Sequence, residues 1–125
     1  MIVPEAATLL FQGGGKIKLE NFTEMQKVKF QVNLMKIQLA LEDRFIELAQ
    51  LVDSKAQTVL LCDRGAMDGA AYVSDTEWQA ILDEIGLSQV SIREKRYDAV
   101  FHLVTAADGA SEFYNFGNKA RHEVR

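Results

Sequence analysis

Thr58-Val59-Leu60-Leu61-Cys62-Asp63-Arg64-Gly65 is the stretch whose pattern decides the fold. Its apolar run does not alternate with polar residues, and it stops at a carboxylate. A strand with one wet face alternates, whereas a strand covered on both faces does not. The run is therefore expected to be a central strand of a parallel sheet. Asp63 then stands at the carboxyl edge, where open α/β sheets bind ligands. In phosphate-binding sites of this kind such an Asp faces Mg²⁺, directly or through water, and the metal bridges the terminal phosphates. Arg64 can offer a forked pair of charge-assisted hydrogen bonds to phosphate. Gly65 is expected to make the close turn beneath it. The same string also describes a strand that ends in a solvated Asp-Arg-Gly turn.

Upstream of this strand, Thr23 to about Val52 is predicted to be one long helix, opened by a Thr23–Gln26 capping box. Met25, Val28, Val32, Met35 and Leu39 recur at three- and four-residue steps. Phe30, Leu34, Ile37, Leu41, Phe45, Leu48 and Val52 form a second stripe, which predicts burial on more than one side. Before it, Pro4 opens a helix that runs to Gln12, and Gly13-Gly14-Gly15 stops it.

Downstream, a Ser74–Glu77 capping box starts a helix that ends near Ile85 at Gly86, and Ser88 to Lys95 forms a short helix. Val100-Phe101-His102-Leu103-Val104 is predicted to be a second buried strand, with His102 a core or edge residue. The polar tail from Ser111 to Arg125 is expected to be helical in pieces. Helices alternating with solitary buried strands indicate an α/β fold with a parallel sheet. No linker or repeat divides the chain, so residues 1–125 count as one domain. Two strands do not make a free-standing parallel sheet, and further strands are expected outside this sequence.

Gly13-Gly14-Gly15-Lys16 suggests a phosphate-binding Walker A loop but does not fit one. That pattern requires Gly where Leu10 stands and Ser or Thr where Ile17 stands. Glu5, at a helix start, either points into the cleft beside Asp63 or complements the helix dipole. Arg121 and Arg125 lie four apart, near Lys119 and His122, and suit either a lid over phosphates or a solvated helix face. Arg93, Lys95 and Arg96 suit an anionic membrane surface or the end of a helix. Asp68 and Asp108 fit turns.

Composition narrows the class. Of the 125 residues 48% are hydrophobic and 26% charged, and the formal charge is −4, which offers no basic footprint for nucleic acid. The single Cys62 forms no internal disulfide, in keeping with a reducing, cytoplasmic setting. No run approaches the roughly 20 apolar residues that span a bilayer. Nor does the N-terminus resemble a secretory signal.

Taken together, Val3-Pro4-Glu5-Ala6-Ala7, Phe30-Gln31, Leu61-Cys62-Asp63-Arg64-Gly65-Ala66-Met67-Asp68, Tyr97, the segment 102–110, Glu112-Phe113-Tyr114 and Ala120-Arg121-His122-Glu123 resemble the P-loop domain of the TRPL-translocation-defect family. The resemblance implies a three-layer P-loop NTPase fold akin to thymidylate-type kinases and to the kinase domain of the bacterial NadR proteins. In that fold the first strand and the Walker A loop would precede Met1, and the chain by itself would be inactive. It also implies binding of GTP, or ATP, with Mg²⁺, and of phosphatidylinositol phosphates, with a peripheral membrane association. Carried over by residue, Asp63 is the magnesium-facing carboxylate and Arg64 a phosphate contact. Glu5 and Gln31 line the ligand or acceptor cleft, and Arg121, with Arg125, belongs to the lid. The expected function is a nucleotide-binding regulatory domain. The alternatives are a small-molecule kinase that transfers a γ-phosphoryl group, and an inactive fragment that associates through uncovered core.

Overall fold

The structure, a computed structural model, describes residues 1–13, 17–52 and 57–104. In chain order the elements are β1 (Ile2–Val3), α1 (Ala6–Gly13), a 3₁₀ turn (Leu19–Asn21), α2 (Glu24–Val52), β2 (Leu61–Cys62), a second 3₁₀ turn (Asp68–Tyr72), α3 (Asp75–Ile85) and α4 (Gln89–Lys95). β1 and β2 pair in parallel, with Ile2 opposite Leu61 and Val3 opposite Cys62. Bonds beyond the ladder extend the pairing. The Met1 ammonium donates to the Val59 carbonyl at 2.7 Å, Leu61 N–H to Met1 at 2.9 Å and Asp63 N–H to Val3 at 3.1 Å. Parallel pairing has a direct consequence for the site. Both strands end at the same edge, so Pro4-Glu5 and Asp63-Arg64 leave the sheet side by side.

The parallel pairing agrees with the sequence pattern, while β1 itself was hidden because two residues carry no periodicity. Two expectations are corrected. Val59 and Leu61 are 69% and 57% exposed, so β2 is not covered on both faces by the described residues. Val100 to Val104 forms no strand, and Phe101 and Leu103 are 85% and 88% exposed. Apolar content alone does not make a strand. The ladder needs a neighbour's N–H and C=O groups, and among the described residues none bonds to this segment.

α2 is the spine. Its capping box forms as expected, with Thr23 N–H donating to Gln26 Oε1 at 2.8 Å and Gln26 N–H to the Thr23 hydroxyl at 3.3 Å. Val32 and Met35 enter the core with Trp78, Ile81, Leu82, Ile92 and Ala66, while Val28 and Leu39 pack at its margin. Met25, expected in that stripe, is instead exposed, because it precedes the part of α2 that α3 covers. Phe30, from the second stripe, meets Phe11 of α1 at a ring-centroid distance of 5.8 Å and Phe22 edge-on at 6.2 Å. α2 is thus covered on two sides along its middle, but Leu48, Leu51 and Val52 near its end are exposed.

α3 has matched ends. Ser74 and Glu77 complete the predicted capping box, and Gly86 closes the helix in the left-handed conformation at φ 72° with its N–H on the Leu82 and Asp83 carbonyls. Ile81 and Leu82 are fully buried against α2, and burial of each contributes about 1.5–3 kcal/mol. Lys29 of α2 bridges to Glu84 of α3 at 2.8 Å across their exposed rim.

Candidate functional site

The common strand edge, α2 and the chain from Arg64 to Tyr72 enclose a cavity of about 320 Å³. Pro4 turns the chain out of β1, and Glu5 then stands beside the first turn of α1. Its carboxylate accepts a hydrogen bond from the Thr8 hydroxyl and faces the Arg64 guanidinium at 3.5 Å. Arg64 also lies 3.9 Å from the Asp68 carboxylate. Gln31 comes from α2, on the same wall as Phe30 and Leu34. Phe11, Tyr72 and Trp78 complete an aromatic lining. The backbone at Gly69 passes so close to Trp78 that a Cβ there would sit 3.3 Å from the indole ring and 3.5 Å from Gln31 Oε1. A side chain at Gly69 would have to press the indole back by a few tenths of an ångström, so glycine fits this wall without displacing Trp78.

Three of the residues singled out in the sequence, Glu5, Gln31 and Arg64, are brought together in the cavity lining. Asp63 is not among the lining residues; it is exposed beyond the end of β2. Arg121, Arg125 and Asp108 lie outside the described residues, as does the Gly14–Lys16 segment. Two members of the basic patch are engaged with carboxylates, Arg93 with Glu94 at 2.6 Å and Arg96 with Asp43 at 2.9 Å and with Glu42. His102 is exposed.

The turn after β2 also differs from expectation. Gly65 does not take the left-handed conformation. Arg64 does, at φ 73°, and among the described residues it is the sole non-glycine to do so. That conformation costs an L-residue about 1–2 kcal/mol, so the surrounding structure must hold it. The holding groups form a polar cluster from α2 and the residues just after α4. Gln38 is 6% exposed and Glu42 3%. Gln38 Nε2 donates to Glu42 Oε1 at 2.8 Å and to the Arg64 carbonyl at 3.2 Å. The Tyr97 hydroxyl accepts from Ala66 N–H at 2.7 Å and donates to Glu42 Oε1 at 2.9 Å. Arg96 Nε donates to the other Glu42 oxygen.

This arrangement shifts Tyr97, Arg96 and the nearby Cys62 from their ordinary values. Burial, with the Glu42 charge beside it, pushes the Tyr97 phenol well above its ordinary value, so it remains a neutral donor. Burial alone would lower the Arg96 guanidinium, but hydrogen bonds to Glu42 and Asp43 carry it above its usual range. Burial and the Glu42 charge raise the Cys62 thiol, which makes it a poor nucleophile at neutral pH. Gln38, Glu42 and Tyr97 escaped the sequence reading as site residues. A signal was present nonetheless, since Gln38 and Glu42 are polar side chains four apart on the core side of α2, beside Met35 and Leu39.

Among the described residues no three His, Cys, Asp or Glu side chains converge on a metal position. No helix among the described residues is long and apolar enough to cross a membrane.

Neither the curated proteins nor the solved structures contain a match to this chain. A family model described as an AAA domain matches residues 1–123. With a parallel strand pair that delivers Glu5 and Arg64 to one cavity, the chain belongs to that family of P-loop NTPase-type, nucleotide-binding domains.

Proposed function

We propose that the chain is part of a regulatory nucleotide-binding domain that, in the full-length protein, takes GTP in preference to ATP, together with Mg²⁺. The observation that carries this reading is the shared strand edge, where Asp63 and Arg64 emerge beside Glu5. Asp63 supplies the magnesium-facing carboxylate, and the bound metal would neutralise phosphate charge. Arg64 contacts phosphate through the guanidinium that Glu5 and Asp68 now flank. Arg121 and Arg125 serve as lid cations. The preference for GTP, the binding of phosphatidylinositol phosphates and a peripheral membrane location rest on the family resemblance alone.

A second reading, phosphoryl transfer to a small-molecule acceptor, is favoured by the cavity itself. Its volume lies at the small end of ligand pockets, and its walls combine aromatic rings with a few convergent polar groups. Glu5 and Gln31 would orient an acceptor hydroxyl, and positioning would supply most of the rate.

Calorimetric titration of the full-length protein with GTP and ATP, with and without Mg²⁺, tests both readings. Asp63→Ala is expected to abolish the magnesium-dependent part of the affinity, roughly a tenfold or greater loss. Affinity that is indifferent to magnesium in both proteins would remove Asp63 from the site. Acceptor-stimulated nucleotide consumption that Glu5→Gln lowers would decide for transfer over binding alone.

A further inference from the structure

We propose that Tyr97, Gln38 and Glu42 are positioning residues that impose the left-handed conformation of Arg64 and thereby set its guanidinium at the cavity. Each step of this hold is a hydrogen bond. Gln38 Nε2 grips the carbonyl of Arg64 itself, and the Tyr97 hydroxyl grips the N–H of Ala66, two residues on. Both grips fall on the chain just after the strained residue, while Asp63 N–H, bonded to the Val3 carbonyl, fixes the chain just before it. Neither group acts alone. Glu42, almost fully buried, accepts from Gln38 Nε2 and from the Tyr97 hydroxyl through the same oxygen, Oε1. Its other oxygen is occupied by Arg96.

The orientation of the tyrosine hydroxyl follows from this geometry. A phenol has one proton. Glu42 Oε1 can only accept, so the proton points toward it and a lone pair is left for Ala66 N–H. An ionised phenolate beside the Glu42 carboxylate would put two negative charges in contact, which is the state that burial and Glu42 oppose. Arg96 occupies the remaining Glu42 oxygen, and Asp43 is a second anchor for its guanidinium. The chain of contacts runs from Arg96 through Glu42 to Tyr97 and Gln38, and ends on the two peptides that flank Gly65. No member of it lies on the loop it holds. α2 and the segment after α4 supply all four, so the loop inherits their rigidity.

The phosphate role of Arg64 rests on the proposed function above; the hold on its backbone does not. The experiment therefore has two arms. In the first, the φ angle of Arg64 is measured by NMR from its amide three-bond couplings in wild type and in Tyr97→Phe. The variant is expected to lose the left-handed conformation in a measurable fraction of molecules and to exchange the Ala66 amide about tenfold faster. The Ile81 and Leu82 signals should stay unchanged. An Arg64 that keeps its positive φ in Tyr97→Phe overturns the proposal. Should that variant fail to fold, Gln38→Leu removes the other grip, and retention of φ there is equally decisive.

In the second arm, Mg²⁺·GTP affinity is measured for Arg64→Ala, Tyr97→Phe and the double variant. The expected result is that the double variant binds no more weakly than Arg64→Ala, since the tyrosine acts only through the arginine. Losses that simply multiply would overturn the positioning role. If wild type binds no nucleotide, the functional reading of Arg64 falls, while the first arm still decides the backbone hold.

Discussion

Arg64 holds a backbone angle that glycine tolerates and arginine does not, next to a glycine that does not use it. A sequence reader places the turn on Gly65, because glycine is the residue that turns cheaply. The structure moves it one residue back, since the groups that fix the turn grip the Arg64 carbonyl and the Ala66 N–H. Strain at a residue that lines a cavity is a common mark of function. It also separates conformation from chemistry in a measurable way. Arg64→Gly is expected to be more stable than Arg64→Ala by about 1 kcal/mol in denaturant titrations, because glycine relieves the left-handed cost and alanine retains it. Both variants lose the guanidinium, so both should lose the same nucleotide affinity. Equal stability of the two would show that position 64 is unstrained.

Among the elements, α3 shows how much a short sequence signal can specify. Ser74 N–H and hydroxyl both donate to the Glu77 carboxylate at 2.8 Å, and the Glu77 N–H returns to the Ser74 oxygen at 3.3 Å. The bond from the Ser74 backbone, followed by that from its hydroxyl, holds the Glu77 carboxyl below its usual range. Because the folded-state value is depressed, the associated stabilisation is present above the unfolded value and disappears as pH falls through the folded one. Ser74→Ala should cost about 1 kcal/mol near neutral pH. The gap between variant and wild type should narrow as the solution is acidified. A gap that stays constant from pH 7 to pH 3 would exclude the bond from the Ser74 hydroxyl to the Glu77 carboxylate as part of its source. α2 was equally legible in extent and in its central stripe, but the exposure of Met25, Leu48, Leu51 and Val52 near its ends was not, because periodicity says which face is apolar and not how far a neighbour reaches.

Over the whole molecule, Tyr97 ties three separate parts together: the middle of α2, the turn after β2 and the segment after α4. Its raised value makes it the natural alkaline weak point. The stabilisation that depends on the neutral phenol is complete below the unfolded value of about 10 and is lost as pH rises through the higher folded one. Thermal unfolding of wild type is therefore expected to show an alkaline decline that begins near pH 10. Tyr97→Phe, already less stable, should lack that component. An identical alkaline decline in both proteins would assign it to other groups. At the same scale, the exposed Val59 and Leu61 leave the two-stranded sheet with uncovered apolar surface among the described residues, and Phe101 and Leu103 are exposed apart from it. The α/β class and the parallel pairing belong to the family's fold.

The helices, the caps of α2 and α3, the apolar run that becomes β2 and the candidacy of Glu5 and Arg64 were legible in the sequence, and Gln31 joined them through the family resemblance. These are properties of nearest neighbours along the chain, carried by helical periodicity, turn chemistry and the polarity of short runs. Only the tertiary structure decided that β1 exists, that Val100 to Val104 is no strand, that the strained residue is Arg64, and that Gln38, Glu42 and Tyr97 hold it. Apart from the missing strand, which lacks a bonded neighbour, each of these depends on a partner more than 25 residues away, and hydrogen bonds at that separation leave no local pattern for a linear reading to detect.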